Sequence, residues 1–353
     1  MESPAARNPN WLDLPRELTA SILHRLGAIE LLETAQKVCT TWRNICKDPA
    51  MWRTVDMRNS GRTYALPYDL EKMTMHAVDL SCGQLEAINI ENFGSDQLLI
   101  YIADRYIRNF FSLCCVAKGA VAAEVHLLAT IAAAEANGRL ANLLSRCSQL
   151  KRLRVVRCYE GISPEAFSEA FKKLPQLEEL HLYFTVFGKQ EIEVAGRFCT
   201  LLKSFKLNFH SYEHPRECDD EALAIAESMP ELRNLQLFGN KMTDDGLRAI
   251  LDKCPHLESL DLRQCFNVTL AGDVGYRCFE RIKDLKRPHD STDGCGFRTV
   301  LFPGEVGSDF EYVLAPPDFP LVYGKNDYHG MTDSSDIDSL DYDDYPDPNH
   351  PDY

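Results

Sequence analysis

Thirteen cysteines and ten histidines are enough to build a thiol nucleophile or a zinc site, provided their spacing brings them together. It does not. The chain contains no Cys-x-x-Cys pair, no His-Glu-x-x-His, no Gly-x-Ser-x-Gly, no Walker loop and no Gly-x-Gly-x-x-Gly. His24, His76 and His181 lack a carboxylate at a spacing that would make an acid–base pair. Cys254 and Cys265, echoed by Cys147 and Cys158, recur around leucine motifs, where a small apolar side chain packs well. No catalytic residue, metal ligand or cofactor is expected. The chemistry left is recognition, carried by an apolar stripe near the N-terminus and by polar side chains alternating with leucines further on.

The apolar stripe must ride on helices. Leu18, Ile22 and Leu26 recur every four residues, joined by Leu23, and Pro15 with Glu17 suits the first turn. Ile29, Leu32, Ala35, Val38 and Cys39 form a second apolar set. Thr41 is expected to cap a third turn holding Trp42, Ile45 and Cys46, which Asp48 and Pro49 stop. Three short helices bury little surface alone, so the module is expected to lean on a partner or an adjoining domain.

Leu14, Pro15, Glu17, Leu18, Ile22, Leu23, Leu26, Leu31, Leu32, Val38, Cys39, Trp42, Arg43, Asp48 and Trp52 match the F-box pattern in order and spacing, with Glu30 where Asp is commoner. The stretch from Trp11 to about Asp56 therefore resembles an F-box. The resemblance implies docking on the Skp adaptor of a Skp-cullin-F-box (SCF) ubiquitin ligase. The side chains it implies for that contact are Leu14, Pro15, Leu18, Ile22, Leu23, Leu26, Leu31, Leu32, Val38, Cys39, Trp42 and Trp52.

Behind this module the pattern Leu-x-x-Leu-x-Leu repeats with starts at Leu150, Leu177, Leu202, Leu232 and Leu257. That is a leucine-rich-repeat period, in which each unit supplies a strand and a returning helix. Thr243, Asp244, Gly246, Leu247 and Ile250 supply one helical half, and His210 to Asp220 reads as a loop. Leu85, Ile88 and Ile90 form an earlier register, and its distance from Leu150 leaves a surplus of about 40 residues beyond one repeat. The surplus is assigned to an Ala-rich, helix-favouring insertion at 106–146. From Trp11 to about Arg287, including the closing Arg281, Ile282, Lys283, Asp284 and Leu285, the chain resembles plant F-box/leucine-rich-repeat proteins of the Skp-interacting-partner type.

Residues between the leucines point to the opposite face of each strand. Arg154, His181, Tyr183, Lys206, Gln236, Phe238, Asp261 and Arg263 are accordingly the candidate substrate contacts. Lys286 and Arg287 read as basic caps at a helix end rather than an import signal.

The net charge is −15, and the segment from Pro288 to Tyr353 holds fifteen acidic residues against Arg298 and Lys325, so the rest carries only −2. That balance argues against nucleic acid or anionic membranes as partners. Met1, Glu2, Ser3 and Pro4 do not begin a secretory signal, and the apolar window Phe110 to Ala134 is broken by Lys118, Glu124 and His126. The odd cysteine number fits reduced thiols in the cytoplasm, the nucleus or both.

The fold expected is α/β: a three-helix F-box over 11–56, a short leucine-rich-repeat solenoid forming a horseshoe arc over 57–287, and an acidic, mostly disordered tail over 288–353. The function expected is non-catalytic: a substrate-recognition subunit bound to a Skp-type adaptor and, through it, to cullin and RING subunits, presenting a protein substrate. A repeat scaffold that binds proteins without recruiting a ligase is the alternative.

Overall fold

The computed structural model describes residues 14–59, 67–104, 149–158, 161–209, 211–212 and 216–292, with the backbone of two further strands, Arg298–Phe302 and Glu311–Ala315. The expected insertion at 106–146 lies outside the described residues.

The N-terminal helices are α1 (Arg16–Leu23), α2 (Ala28–Glu30), α3 (Gln36–Val38) and α4 (Thr40–Cys46), with a π-helical turn, Leu31–Ala35, joining α2 to α3. Cys39, not Thr41, caps α4: its extended backbone (φ −156°) breaks the run, and its sulfur accepts the Trp42 N–H at 3.5 Å. Asp48 starts a 3-10 turn, Pro49–Trp52, its carboxylate accepting the Ala50 N–H at 3.1 Å. Arg16 reaches the same carboxylate at 2.9 Å and ties α1 to that turn.

Strands follow at one per repeat: β1 (Thr54–Met57), β2 (Ala87–Glu91), β3 (Arg152–Val156), β4 (Glu179–Tyr183), β5 (Ser204–Asn208), β6 (Ser211–Tyr212), β7 (Asn234–Gln236), β8 (Ser259–Asp261) and β9 (Asp284–Lys286). All but β6 form one eight-stranded sheet, and each neighbouring pair in it is parallel. The returning helices are α5 (Leu70–Leu80), α6 (96–104), α7 (Pro164–Phe171), α8 (Lys189–Phe198), α9 (Asp220–Ser228), α10 (Asp244–Lys253) and α11 (Gly272–Arg281).

The solenoid is longer at both ends than the leucine count. Ile88 sits opposite Leu153, so β2 and β3 are adjacent although 65 residues separate the pair. Val55 opposite Ile88 adds a strand before it, and Leu285 opposite Leu260 adds one at the far end. Trp52, Val55 and Met57 therefore occupy the three leucine positions of the first repeat. Trp52 is fully buried, and its indole N–H donates to the Cys46 carbonyl at 2.7 Å. F-box residues Leu23, Leu31, Leu32 and Ile45 join the same core as the repeat leucines.

Seven of the eight strands of that sheet begin on a forked carbonyl. The Arg53, Glu86, Lys151, Glu178, Lys203, Arg233 and Glu258 carbonyls each accept two N–H groups from the next repeat, at 2.7 to 3.2 Å. The side chains of these residues largely alternate in sign along the rim, pairing Lys203 with Glu178 and Lys283 with Glu258, both at 2.9 Å. On the helix side, carboxylates stitch repeats together. Asp96 accepts the Ser163 N–H and hydroxyl at 2.6 and 2.8 Å, Asp219 accepts those of Thr243 at 2.8 and 2.9 Å, and Asp244 accepts those of Thr269. Gly246 has no Cβ because one would stand 2.3 Å from that Asp219 carboxylate.

The buried cysteines are stitches too. The Cys254 and Cys265 thiols donate to the Met229 and Leu237 carbonyls, one repeat back, at 3.5 and 2.7 Å. Burial pushes the Cys199 and Cys265 thiols up to about 12.

Two further findings bear on the sequence expectations. Lys286 lies in β9, not at a helix end, and Arg287 stacks its guanidinium 5.1 Å from the Phe279 ring centre. The stretch assigned to a mostly disordered tail contains β10 (Arg298–Phe302) and β11 (Glu311–Ala315), which form an antiparallel sheet with β6, inside the segment read as a loop. The rest of 293–353 lies outside the described residues.

If Trp52 joins the F-box to the repeats, Trp52→Ala lowers stability by about 3–5 kcal/mol, and circular dichroism in urea shows helix and strand signals lost together. Tyr276→Ala, at a side chain 66% exposed, shifts the curve by less than about 0.5 kcal/mol. Iodoacetamide at pH 8 labels the exposed Cys82 in the folded chain. Cys199 and Cys265, titrating near 12, stay protonated and unlabelled until urea unfolds the protein, as read by peptide mass spectrometry.

Candidate adaptor and substrate interfaces

The F-box residues divide into an inward and an outward set. Leu23, Leu31, Leu32 and Trp52, which the resemblance implied for adaptor contact, are buried in the chain's own core. They cannot offer an open surface, because they sit in the core cluster that also holds the repeat leucines. Leu14, Cys39 and Trp42 are half-buried, and Trp42 packs its inner side on the core. Pro15 is exposed, and with it stand Leu18 (54%), Ile22, Leu26 and Val38 (57%). Leu18 and Ile22 lie one turn apart on α1, so their exposure is a stripe. A stripe of large aliphatic side chains in water is a docking surface in waiting.

The second surface is the concave face of the sheet. The parallel register sets Asp56, Asn89, Arg154, His181, Lys206, Gln236, Asp261 and Lys286 in one row across the eight strands. Along it, Asp56 takes Arg58 at 2.6 Å and the Asn89 amide at 2.9 Å. Arg154 donates to the Asn89 carbonyl oxygen at 2.8 Å, meets Glu91 at 3.3 Å, and lies 5.0 Å from the Tyr183 ring centre. The Gln236 amide donates to Asn208 at 3.0 Å, and His181 Nε2 lies 3.2 Å from the Ser204 hydroxyl. Burial, with Lys206 and Arg154 nearby, depresses His181 to about 3, so the imidazole is neutral at physiological pH.

Of the eight candidate substrate contacts, Arg154, His181, Lys206 and Gln236 are half-buried and reach this face. Tyr183, Phe238, Asp261 and Arg263 do not present open side chains. Tyr183 and Phe238 form a small second core with Val156 and Phe184 at the ends of the strands. Arg263 holds Asp261 through two bonds at 2.7 and 2.9 Å, lies 6.0 Å from the Phe238 ring centre, and donates to the Ser291 carbonyl at 3.1 Å. Strand alternation fixes the face on which a side chain lies, but says nothing of what then covers it.

Asp56, Asn89 and Lys286 belong to the row and were missed. Asn89 lies in the Leu85, Ile88 and Ile90 register, while Asp56 and Lys286 needed the registers of Val55 and Leu285, neither of which carries the full leucine motif. Among the described residues no group of His, Cys, Asp and Glu side chains is placed to hold a metal ion, and no helix is long and apolar enough to cross a membrane.

Comparison with known proteins finds relatives of both modules. Residues 11–58 match the F-box-like family. Residues 214–271 match the leucine-rich repeats of the FBD-associated F-box protein At5g56370 family. The chain is 43% identical over 340 residues to the F-box protein SKIP19 of Arabidopsis thaliana, covering 94% of each chain. It is 40% identical over 299 residues to the putative F-box/LRR-repeat protein 21 of the same plant, covering 80% of this chain and 83% of that one. To the F-box protein SKIP1, also from Arabidopsis thaliana, it is 24% identical over 291 residues, covering 79% and 87%. With an F-box running directly into a parallel repeat sheet, and such identity over nearly its whole length, the chain belongs to the plant F-box/leucine-rich-repeat family of the Skp-interacting-partner type.

Proposed function

We propose that the chain is the substrate-recognition subunit of an SCF-type ubiquitin ligase, docking on a Skp-type adaptor through its F-box and presenting a protein substrate from the repeat arc. The observation that carries this reading is the outward set: Leu18, Ile22, Leu26 and Val38 stay exposed on a module whose other large aliphatic side chains are buried or half-buried. Each such side chain gains roughly 1.5–3 kcal/mol when fully covered, so a few of them outweigh the cost of association. The names of relatives point the same way, since two of them are the F-box proteins SKIP19 and SKIP1.

In this reading the subunit performs no chemistry. Cullin and RING subunits, reached through the adaptor, bring the transfer machinery, and the arc raises the local concentration of substrate beside it. The module's fusion to the repeats through Trp52 suits that role, because a rigid joint fixes the distance between adaptor and substrate. Nine free thiols among the described residues suit a reducing compartment, which supports the cytoplasm, the nucleus or both as the setting of this reading.

Co-purification with a Skp adaptor tests the docking. The double substitution Leu18→Glu plus Val38→Glu changes two exposed side chains, so the chain stays folded with an unchanged melting curve. It should weaken adaptor binding about a hundredfold or more. A folded wild-type chain that fails to bind the adaptor would instead be a repeat scaffold without ligase recruitment.

A further inference from the structure

The row on the concave face is almost fully self-paired, and one member is not. Arg154 is matched by Asn89 and Glu91 at 2.8 and 3.3 Å, Asp261 by Arg263 at 2.7 Å, and Lys286 lies 3.8 Å from Asp261. Lys206, at the centre on β5, has neither a hydrogen bond nor an ion pair within 4.0 Å among the described residues. It is half-buried, and that burial is the first cause holding its ammonium below the usual lysine range. Its neighbours in register are the neutral His181 and Gln236, and the carboxylates of Asp261 and Glu179, beyond 4.0 Å, offset only part of the burial. The ammonium borders a cavity of about 350 Å³ that runs from β4 to β9.

We propose that Lys206 determines specificity on this face by seating the carboxylate of an Asp or Glu carried on an extended segment of the partner protein. The proposal rests on the arc being the substrate-presenting surface. Lys206 has already lost much of its water, so a carboxylate that reaches it gains a charge-assisted hydrogen bond without the full desolvation cost on the protein side. An apolar segment would bury the ammonium unpaired, and a basic one would be repelled.

The geometry also sets how the segment lies. Glu179 and Asp284 border the same cavity but sit one row away, at the starts of their strands. A carboxylate displaced towards them meets like charge, whereas the carboxylate in Lys206's own row, Asp261, is already paired with Arg263. Strands stand about 4.8 Å apart, so the five from β4 to β9 that border the cavity span about 19 Å, the length of roughly six extended residues. The occupant is therefore a short extended stretch crossing the strands, with its acidic residue one strand in from the β4 end.

Selection of displayed random twelve-residue peptides on the full-length chain, wild type against Lys206→Met, tests this. Wild type should enrich peptides with Asp or Glu at one fixed position, and a synthetic copy should bind Lys206→Met at least about thirtyfold more weakly. Methionine matches the lysine stem and removes an unpaired buried charge, so the variant's melting temperature should not fall below that of wild type. The proposal is overturned if no peptide is enriched, if the enriched peptides lack an acidic position, or if Lys206→Met selects the same acidic set. Acidic enrichment that appears only after residues 316–353 are deleted would make the chain's own tail the occupant and overturn it for a partner. The readout does not involve the adaptor, so failure of docking and failure of this seat are separate results.

Discussion

Trp52 holds the position on which the rest of the molecule depends. No repeat of a solenoid can bury its apolar face alone, so the first one needs a cover that is not itself a repeat. Here the residue that ends the F-box is also the first apolar position of the first repeat, followed by Val55 and Met57 at the leucine spacing. Its indole is buried without exposure and hydrogen-bonded to the Cys46 carbonyl. The helical module is thus the N-terminal cap of the sheet, and the sheet supplies the core that the module is too small to make for itself.

This shared core decides what is left for binding. Leu23, Leu31 and Leu32 are held by internal packing, which leaves Leu18, Ile22, Leu26 and Val38 facing water. A similar division governs the concave face. Its charges mostly satisfy one another across neighbouring strands, which keeps the arc polar yet gives few groups to a partner. The forked carbonyls, the rim of opposed charges and the Asp-to-Ser or Asp-to-Thr stitches hold each strand in register. Exposed ion pairs at the rim contribute little energy individually. They penalise the wrong register, which would set like charges side by side.

Much of this was legible in the sequence because leucine spacing is enforced by burial. The strands at Leu153, Leu180, Phe205, Leu235 and Leu260 follow from that spacing, and so does the face on which Arg154, His181, Lys206 and Gln236 lie. The end strands were harder to read. Their registers use Trp52, Val55 and Met57 at one end and Ile282 and Leu285 at the other, residues that fit the pattern by size rather than by type. Which F-box side chains face inward was not legible either, since the motif combines core and docking positions in one string. Tyr183, Phe238 and Arg263 illustrate a further limit: alternation placed them on the concave side, but the small core at the strand ends encloses them.

Hydrogen exchange on the full-length chain, with and without a Skp adaptor, tests most directly whether docking belongs to the outward set of the F-box alone. Slowed exchange in the amides of α1 through α4, with β3 to β9 unchanged, is the predicted result. Protection spread across the concave strands, or no change within residues 14–46, would contradict it.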